Sequence, residues 1–369
     1  MELRAFLSAW RTTTLHDREV IDALVDPAHA GPSPGLQEAL QRWPGRYYWS
    51  DEPEGRHLIL TRRVSRRRRE RWALHAALFL TTLLTTTFAG AVLSGAIPYD
   101  NPLDLFTGSY PMPPGLARAW ATGLAFSIPL LAILMCHELG HYITARWYEL
   151  DVSPPYFIPV PLIPTFIGTM GAFIRLRTLL SDRRQLLDVG VAGPIAGFAI
   201  ALPVLWIGLA HSHPPPGHGE LSGMLLAIGG ETLGLGDSLI TLALREVTHG
   251  GTGTLLLHPL AFAGWFGMFV TMLNLLPISQ LDGGHILYAA LPRSHARVAL
   301  LCMTVLLVLG WYWRGWLLWG LIVLILSRGR LRHPPVLDAY RPLPRSRRWL
   351  ARAGMALLAI TFAPVPFRI

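Results

Sequence analysis

The sequence contains no lysine, so arginine supplies all 32 of its Lys and Arg residues. Only 15% of its 369 residues are charged, whereas a typical soluble protein has roughly a quarter. Hydrophobic residues make up 51% of the chain, and its mean hydropathy is +0.38. This composition is not that of a soluble globular domain, and it indicates a polytopic membrane protein.

Cysteine is also scarce. Cys136 and Cys302 both lie inside apolar segments, so they do not indicate a disulfide scaffold. Residues 1–30 are mixed and charged and lack the apolar run of a signal peptide, so none is expected. The net charge of +9 would suit a nucleic-acid-binding protein, but in a membrane protein basic residues set the topology. We therefore expect no nucleic-acid partner.

Residues 1–71 form a polar unit before the first long apolar run. The segment LHDREVIDALVD, residues 15–26, has helical spacing. The segment RYYWSDEPEGRHLILTRR, residues 46–63, reads as two short strands around an acidic turn. We expect a small soluble α+β domain on the cytoplasmic side over 1–71, followed by a membrane-embedded domain over 72–369.

Long apolar runs alternate with arginine-rich segments through the rest of the chain. The runs lie at about 73–97, 119–146, 187–210, 257–277, 299–327 (two short runs) and 349–363. The segment RRVSRRRRER, residues 62–71, precedes the first run, and basic clusters stay on the cytoplasmic side of a membrane. We expect an all-α polytopic protein with about six or seven transmembrane helices.

The hexapeptide CHELGH, residues 136–141, places three polar side chains in an apolar segment. His137 and His141 are four residues apart, so one helix face carries both imidazoles within reach of a single ion. Glu138 lies one step round the helix, where it can act as a general base without binding the metal. The alternative is a pair of buried histidines bonded to carbonyl groups. Polar groups inside a membrane are costly, which favours a zinc site.

A catalytic zinc ion requires a third protein ligand at the same depth. The next polar intrusion is MLNLLPISQLDGGH, residues 272–285. Asp282 is the best candidate, because Gly283 and Gly284 permit close backbone approach. His285 is the competing candidate, and Asn274 is a neutral hydrogen-bonding group.

The HELGH motif, together with Asn274, Pro277, Leu281, Asp282 and Gly283, resembles the site-2 protease family of intramembrane zinc metalloproteases. The resemblance extends over roughly 119–366, and it is to the subgroup without a PDZ domain. It implies Zn²⁺ as cofactor, bound by His137, His141 and Asp282. It also implies that Glu138 is the catalytic acid and base, and that Asn274 lies near the substrate backbone or the oxyanion.

The segment PPYFIPVPLIPTFIGTMGAFIRL, residues 154–176, contains five prolines and cannot form a regular helix. Irregular backbone at membrane depth lies against protein or a cavity. We expect a re-entrant β-hairpin or loop beside the zinc, with an edge strand to which an unwound substrate adds. The alternative is an interfacial cytoplasmic loop. Downstream, Gly190, Gly193 and Gly197 indicate close helix packing.

These patterns predict an intramembrane zinc metalloprotease in the lipid bilayer, with its active site toward the cytoplasm of a prokaryotic cell membrane. Its substrates are expected to be membrane-anchored proteins, cut in or near a transmembrane segment during regulated intramembrane proteolysis. One alternative is a membrane zinc protease that acts on loop or prenylated substrates. Another is a metal-ion transporter whose pathway is lined by His and Asp, although this leaves Glu138 without a role.

Overall fold

The structure is a computed structural model that describes most of the chain. The described residues are 2–15, 18–29, 31, 33–63, 70–97, 116–160, 167–177, 180–215, 223–228, 231–251, 253–334, 336, 338 and 342–368. Residues 64–69 of the arginine-rich segment lie outside this set, and so do Pro161 and Pro164 of the proline-rich segment.

Helices form most of the regular structure. The α-helices are α1 (Pro34–Gln41), α2 (Trp72–Leu93), α3 (Leu116–Trp147), α4 (Arg183–Ala210), α5 (Leu239–His249), α6 (Pro259–Leu275), α7 (Asp282–Ala290), α8 (His295–Leu309), α9 (Gly315–Leu326) and α10 (Arg345–Thr361). The strands are β1 (Leu7–Leu15), β2 (Arg18–Val25), β3 (Arg46–Glu52), β4 (Gly55–Arg63), β5 (Tyr156–Pro159), β6 (Thr169–Phe173), β7 (Gly223–Ile228), β8 (Glu231–Leu235), β9 (Thr254–Leu256) and β10 (Phe367–Arg368).

The N-terminal segment folds into an antiparallel sheet with the strand order β1-β2-β4-β3. Helix α1 packs on this sheet through Leu36 and Leu40, which meet Leu58 and Leu60 of β4 in one buried cluster. The two strands predicted over 46–63 are confirmed as β3 and β4.

The helix predicted over 15–26 is wrong, because strand β2 occupies this segment. Val20, Ile21 and Val25 are β-branched and suit a strand. The strand pairs on one side with β1 and on the other with β4, and Ala23 and Val25 are buried. Pairing on both edges satisfies the backbone and overrides the helical spacing of the apolar residues.

Three of the described helices are long and apolar enough to cross a membrane. They are α2, residues Trp120–Trp147 of α3, and α4. Helices α6, α8 and α9 are apolar but have only 17, 15 and 12 residues. At 1.5 Å per residue they are about 18 to 26 Å long, which is less than the roughly 30 Å of the hydrocarbon core. The structure therefore supports three spans by length and composition, and the prediction of six or seven is not confirmed.

Helix α3 lies between α2, α4 and α6. Small residues allow these helices to approach closely. A Cβ on Gly123 would lie 2.1 Å from the carbonyl oxygen of Thr87 on α2, and one on Gly140 would lie 2.5 Å from that of Ala192 on α4. Helix α3 is thus held tightly on two sides.

Strands β5 and β6 form an antiparallel pair within the proline-rich segment, with Tyr156 opposite Phe173. The pair packs on α2. The Thr85 hydroxyl donates a hydrogen bond to the carbonyl oxygen of Gly168 at 2.7 Å. Nδ1 of His75 lies 3.0 Å from the carbonyl oxygen of Pro155. The predicted hairpin strands are therefore present, while their depth in a membrane stays a prediction.

An ion pair anchors the chain that follows strand β6. The Arg177 guanidinium donates two hydrogen bonds to the Glu70 carboxylate, one of them at 3.1 Å, and lies 3.4 Å from Asp151. The hydrogen bonds from Arg177 lower the pKa of Glu70 below its ordinary value. The start of α2 is thereby linked to the chain that leaves β6.

We expect the Glu70→Gln variant to unfold at a lower temperature in detergent at neutral pH, because it loses a partly exposed ion pair worth about 1 kcal/mol. Because the pKa of Glu70 is depressed in the folded state, this stabilisation is full above the ordinary carboxyl range and is lost as the pH falls through the folded pKa. Thermal melts of both proteins from pH 7 to pH 3 should therefore converge.

Glu38→Gln is the matched control, since Glu38 pairs with Arg42 but both side chains are more than 60% exposed. This variant should change the melting temperature very little at any pH. A difference between the Glu70→Gln variant and the parent that persisted at pH 3 would contradict the prediction.

Candidate metal centre

The histidines of HELGH lie on the inner face of α3. His137, Glu138 and His141 are buried, with 4%, 7% and 7% of their surface exposed. The Nε2 atoms of the two histidines are 3.2 Å apart. The four-residue spacing therefore brings both imidazoles to one point, as predicted.

Asp282 reaches the same point from the first turn of α7. Its Oδ2 atom lies 3.2 Å from Nε2 of His137 and 3.3 Å from Nε2 of His141. A Cβ on Gly283 would lie 1.8 Å from the carbonyl oxygen of Leu275, so only glycine lets α7 begin this close to the end of α6.

The three side chains fit a zinc ion. Two imidazole nitrogens and one carboxylate oxygen, with all three atoms within 4.8 Å of one another, are a typical donor set for zinc. Nδ1 of His141 donates a hydrogen bond to the carbonyl oxygen of Val189 at 2.7 Å. This bond orients the ring and leaves the Nε2 lone pair for a metal. Three protein ligands leave a fourth position for water or substrate.

Glu138 and Asn274 border this group without belonging to it. The carboxyl group of Glu138 is hydrogen-bonded by the backbone N–H of Ile174, directly after β6. Nδ2 of Asn274 lies 3.5 Å from Nε2 of His137. The structure thus brings all five predicted site residues together, and it places Glu138 next to the β5–β6 hairpin.

His285, the competing candidate for the third ligand, is outside the group of converging ligand atoms. Its Nδ1 atom instead lies 2.8 Å from Nε2 of His333. Asp282 and not His285 therefore completes the donor set among the described residues.

Two glycines of α4 make room for the two histidines. A Cβ on Gly193 would lie 2.0 Å from Nε2 of His141, and one on Gly197 would lie 3.1 Å from Cβ of His137. Sequence reasoning attributed these glycines to helix packing alone. Their spacing showed a common face, but it could not show that the face meets the histidines.

The hydrogen bonds of Asp188 near the site were also not predicted from the sequence. Asp188 precedes Val189 on α4 and accepts hydrogen bonds from Tyr148 at 2.5 Å and from Arg347 of α10 at 3.0 Å. These bonds tie the ends of α3 and α10 to α4. Asp188 was not predicted because its partners are distant in sequence.

The site opens into a cleft of about 280 Å³. The walls come from α3, α4, α6, α7, the end of the hairpin and the chain that follows it. The lining residues are His137, Glu138, His141, Ala172, Phe173, Ile174, Leu176, Leu180, Leu186, Val189, Gly190, Asn274, Gln280, Leu281, Asp282 and His285. The cleft therefore joins the metal-binding group to the hairpin.

Comparison with known proteins gives consistent results. The family model described as "Peptidase family M50" matches residues 125–311. The chain is 32% identical over 248 residues to "Probable zinc metalloprotease EGY1, chloroplastic" of Arabidopsis thaliana, which covers 66% of this chain and 43% of that protein. It is 33% identical over 247 residues to the rice protein of the same name, covering 66% and 41%. No solved structure matches the chain.

The chain spans less than half the length of these plant relatives. Their names contain the word chloroplastic, so they do not support the predicted prokaryotic cell membrane, which stays a prediction.

The description of these relatives as zinc metalloproteases agrees with the zinc cofactor predicted from the His–His–Asp group. Both sequence motifs lie inside the matched residues, which make up half of the chain. The chain therefore belongs to peptidase family M50, the site-2 protease family of zinc metalloproteases, as its two motifs predicted.

Proposed function

We propose that this chain is an intramembrane zinc metalloprotease that hydrolyses peptide bonds in or near the transmembrane segments of membrane-anchored proteins. The observation that carries this proposal is the position of the His–His–Asp group. Its two histidines lie on a helix that is long and apolar enough to cross a membrane. Glu138 lies between them and touches the end of a β-hairpin.

Nε2 of His137, Nε2 of His141 and Oδ2 of Asp282 would hold the zinc ion. A bound zinc ion supplies a Lewis acid that polarises the scissile carbonyl and makes water more acidic. Glu138 takes the proton from the attacking water and delivers it to the amine nitrogen as the C–N bond breaks. This role needs a carboxylate beside the metal that is not itself a ligand, and the position of Glu138 supports it.

Asn274 is proposed to donate a hydrogen bond to the oxygen that becomes negative when water adds to the carbonyl. Its amide nitrogen lies 3.5 Å from the ligand atom of His137, so it lies at the edge of the reaction site. Donors of this kind typically contribute about 3 kcal/mol to transition-state stabilisation.

The hairpin is proposed to hold the substrate in an extended form. A helical substrate keeps its peptide bonds inside its own hydrogen-bond ladder, so it must be unwound before cleavage. Strand β6 pairs with β5 in a two-stranded sheet, and an extended peptide can add to a free strand edge. The contact between Ile174 and Glu138 would align such a peptide with the general base.

The two domains are proposed to lie on and in the membrane. Residues 1–71 form a cytoplasmic domain and 72–369 the membrane-embedded protease, with the site open toward the cytoplasm. Arg46 of β3 lies 3.4 Å from Glu149 after α3, which places the N-terminal sheet at the end of α3 nearest the site. The biological process is regulated intramembrane proteolysis in a lipid bilayer.

The proposal is tested with the purified full chain in detergent and a substrate that contains one transmembrane segment and flanking loops. We expect cleavage within or beside that segment, loss of cleavage with a zinc chelator, and recovery when zinc is restored. Mass spectrometry of the fragments locates the bond.

Other outcomes would contradict the proposal. Cleavage that persists in the chelator would exclude zinc catalysis, and cleavage only in the loops would favour a loop protease. Zinc flux into liposomes that contain the protein, without peptide cleavage, would favour a transporter.

A further inference from the structure

His285 lies one turn beyond Asp282 on α7 and lines the same cleft. A Cβ on Gly190 would lie 2.8 Å from Cβ of His285, so α4 packs directly against the base of this side chain. The proposed mechanism gives His285 no role, although it is a polar group in the cleft and not one of the converging ligands.

Hydrogen bonding fixes where His285 carries its proton. Nδ1 of His333 lies 2.5 Å from the carbonyl oxygen of Pro334, so it must donate. Burial lowers the pKa of His333 to about 3, so its ring is neutral and has only one N–H. Nε2 of His333 therefore accepts, and the 2.8 Å bond is donated by Nδ1 of His285.

The acceptor ring is held in place by its neighbours. Tyr288 stacks on His333, with ring centroids 4.6 Å apart and planes at 27°. His295 lies edge-on to His333 at 6.1 Å. Burial also lowers the pKa of His285 to about 4, so this ring is neutral. With its hydrogen on Nδ1, His285 has an unprotonated Nε2 that can only accept a hydrogen bond.

We propose that Nε2 of His285 accepts a hydrogen bond from a backbone N–H of the bound substrate and thereby positions the peptide over the metal centre. This inference rests on the proposed function. An extended peptide presents N–H groups as well as carbonyl groups, and each N–H that enters the cleft loses its hydrogen bond to water. Asn274 can donate a hydrogen bond to the peptide, whereas His285 supplies a neutral acceptor.

Two variants separate this role from a structural one. His285→Asn places an amide near the Nδ1 position, so it keeps a donor to His333 and loses the Nε2 acceptor. His285→Gln places an amide oxygen near the Nε2 position, so it keeps an acceptor there and loses the bond to His333. His333→Gln serves as a further control on the bond between the two rings.

The measurement is the affinity of a labelled transmembrane substrate for each variant in the Glu138→Gln background, together with zinc content and melting temperature. We expect His285→Asn to weaken binding by roughly fivefold, the usual value of one hydrogen bond, with zinc content and melting temperature unchanged. His285→Gln should bind like the parent despite a lower melting temperature. In chains with an intact Glu138, the His285→Asn variant should raise KM more than it lowers kcat.

A series of substrates in which one backbone N–H at a time is replaced by an ester oxygen completes the test. One ester should weaken binding by roughly fivefold to chains with His285 and leave binding to the His285→Asn variant unchanged. Parent-like binding by His285→Asn, or equal sensitivity of both chains to every ester, would overturn the inference. Because binding is measured without turnover, failure of the chain with intact Glu138 to cleave would count against the proposed function alone.

Discussion

The Glu138→Gln variant is expected to cleave a transmembrane substrate about a thousandfold more slowly than the parent, within the range found for general acid–base catalysis. Glutamine has nearly the same shape as glutamate but cannot take a proton from water. His137, His141 and Asp282 are untouched, so the variant should still bind about one zinc ion per chain. The measurements are the initial rate of fragment release and the metal content of the same preparation.

Glu149→Gln is the matched control for this variant. Glu149 follows the same helix, but its side chain is largely exposed and lies 3.4 Å from Arg46 in the N-terminal sheet. Its replacement should leave the rate of cleavage unchanged. If the Glu138→Gln variant cut at the parental rate, Glu138 would not be the base. If it lost its zinc, Glu138 would be a ligand instead.

The Gly193→Ala variant is expected to bind zinc about 100-fold more weakly, as when the support of a metal ligand is lost, and to lose most of its activity. The new methyl group would lie 2.0 Å from Nε2 of His141 and 2.5 Å from its Cε1. The ring can escape this overlap only by leaving the position where it meets His137 and Asp282. Zinc affinity is measured by competition with a chelating dye.

Two other glycines calibrate this result. Gly197→Ala places its methyl group 3.1 Å from Cβ of His137, a tight contact that a small shift relieves, so its effect on zinc affinity should be smaller. Gly320→Ala on α9 meets only the flexible sulfur of Met303 at 3.3 Å and should leave zinc binding unchanged. Wild-type zinc affinity in the Gly193→Ala variant would show that the helices separate without disturbing the site.

The side chains that converge at the candidate metal centre could be predicted from short stretches of sequence. The HELGH spacing places His137 and His141 on one helix face because an α-helix has 3.6 residues per turn. Asp282 was favoured over His285 because the two glycines that follow it permit close backbone approach. Both inferences depend on the spacing of nearby residues and on the cost of polar groups in a membrane. Both can be judged from the sequence alone.

Other predictions were wrong or incomplete because they concern elements whose structure depends on neighbouring strands and helices. Strand β2 has helical spacing, but β1 and β4 pair with its two edges. Helices α8 and α9 are apolar enough for a membrane but too short by length alone. The prediction of six or seven spans therefore stays unconfirmed among the described helices.

By itself, the sequence determined which family the chain belongs to and which side chains are the candidates for its metal centre, because both depend on two short motifs. Only the tertiary structure decided that Asp282 meets the histidines, that Gly193 faces His141, and that His285 turns toward His333. These contacts join helices that are far apart in sequence. They are set by the close packing of the folded chain, which no local sequence pattern encodes.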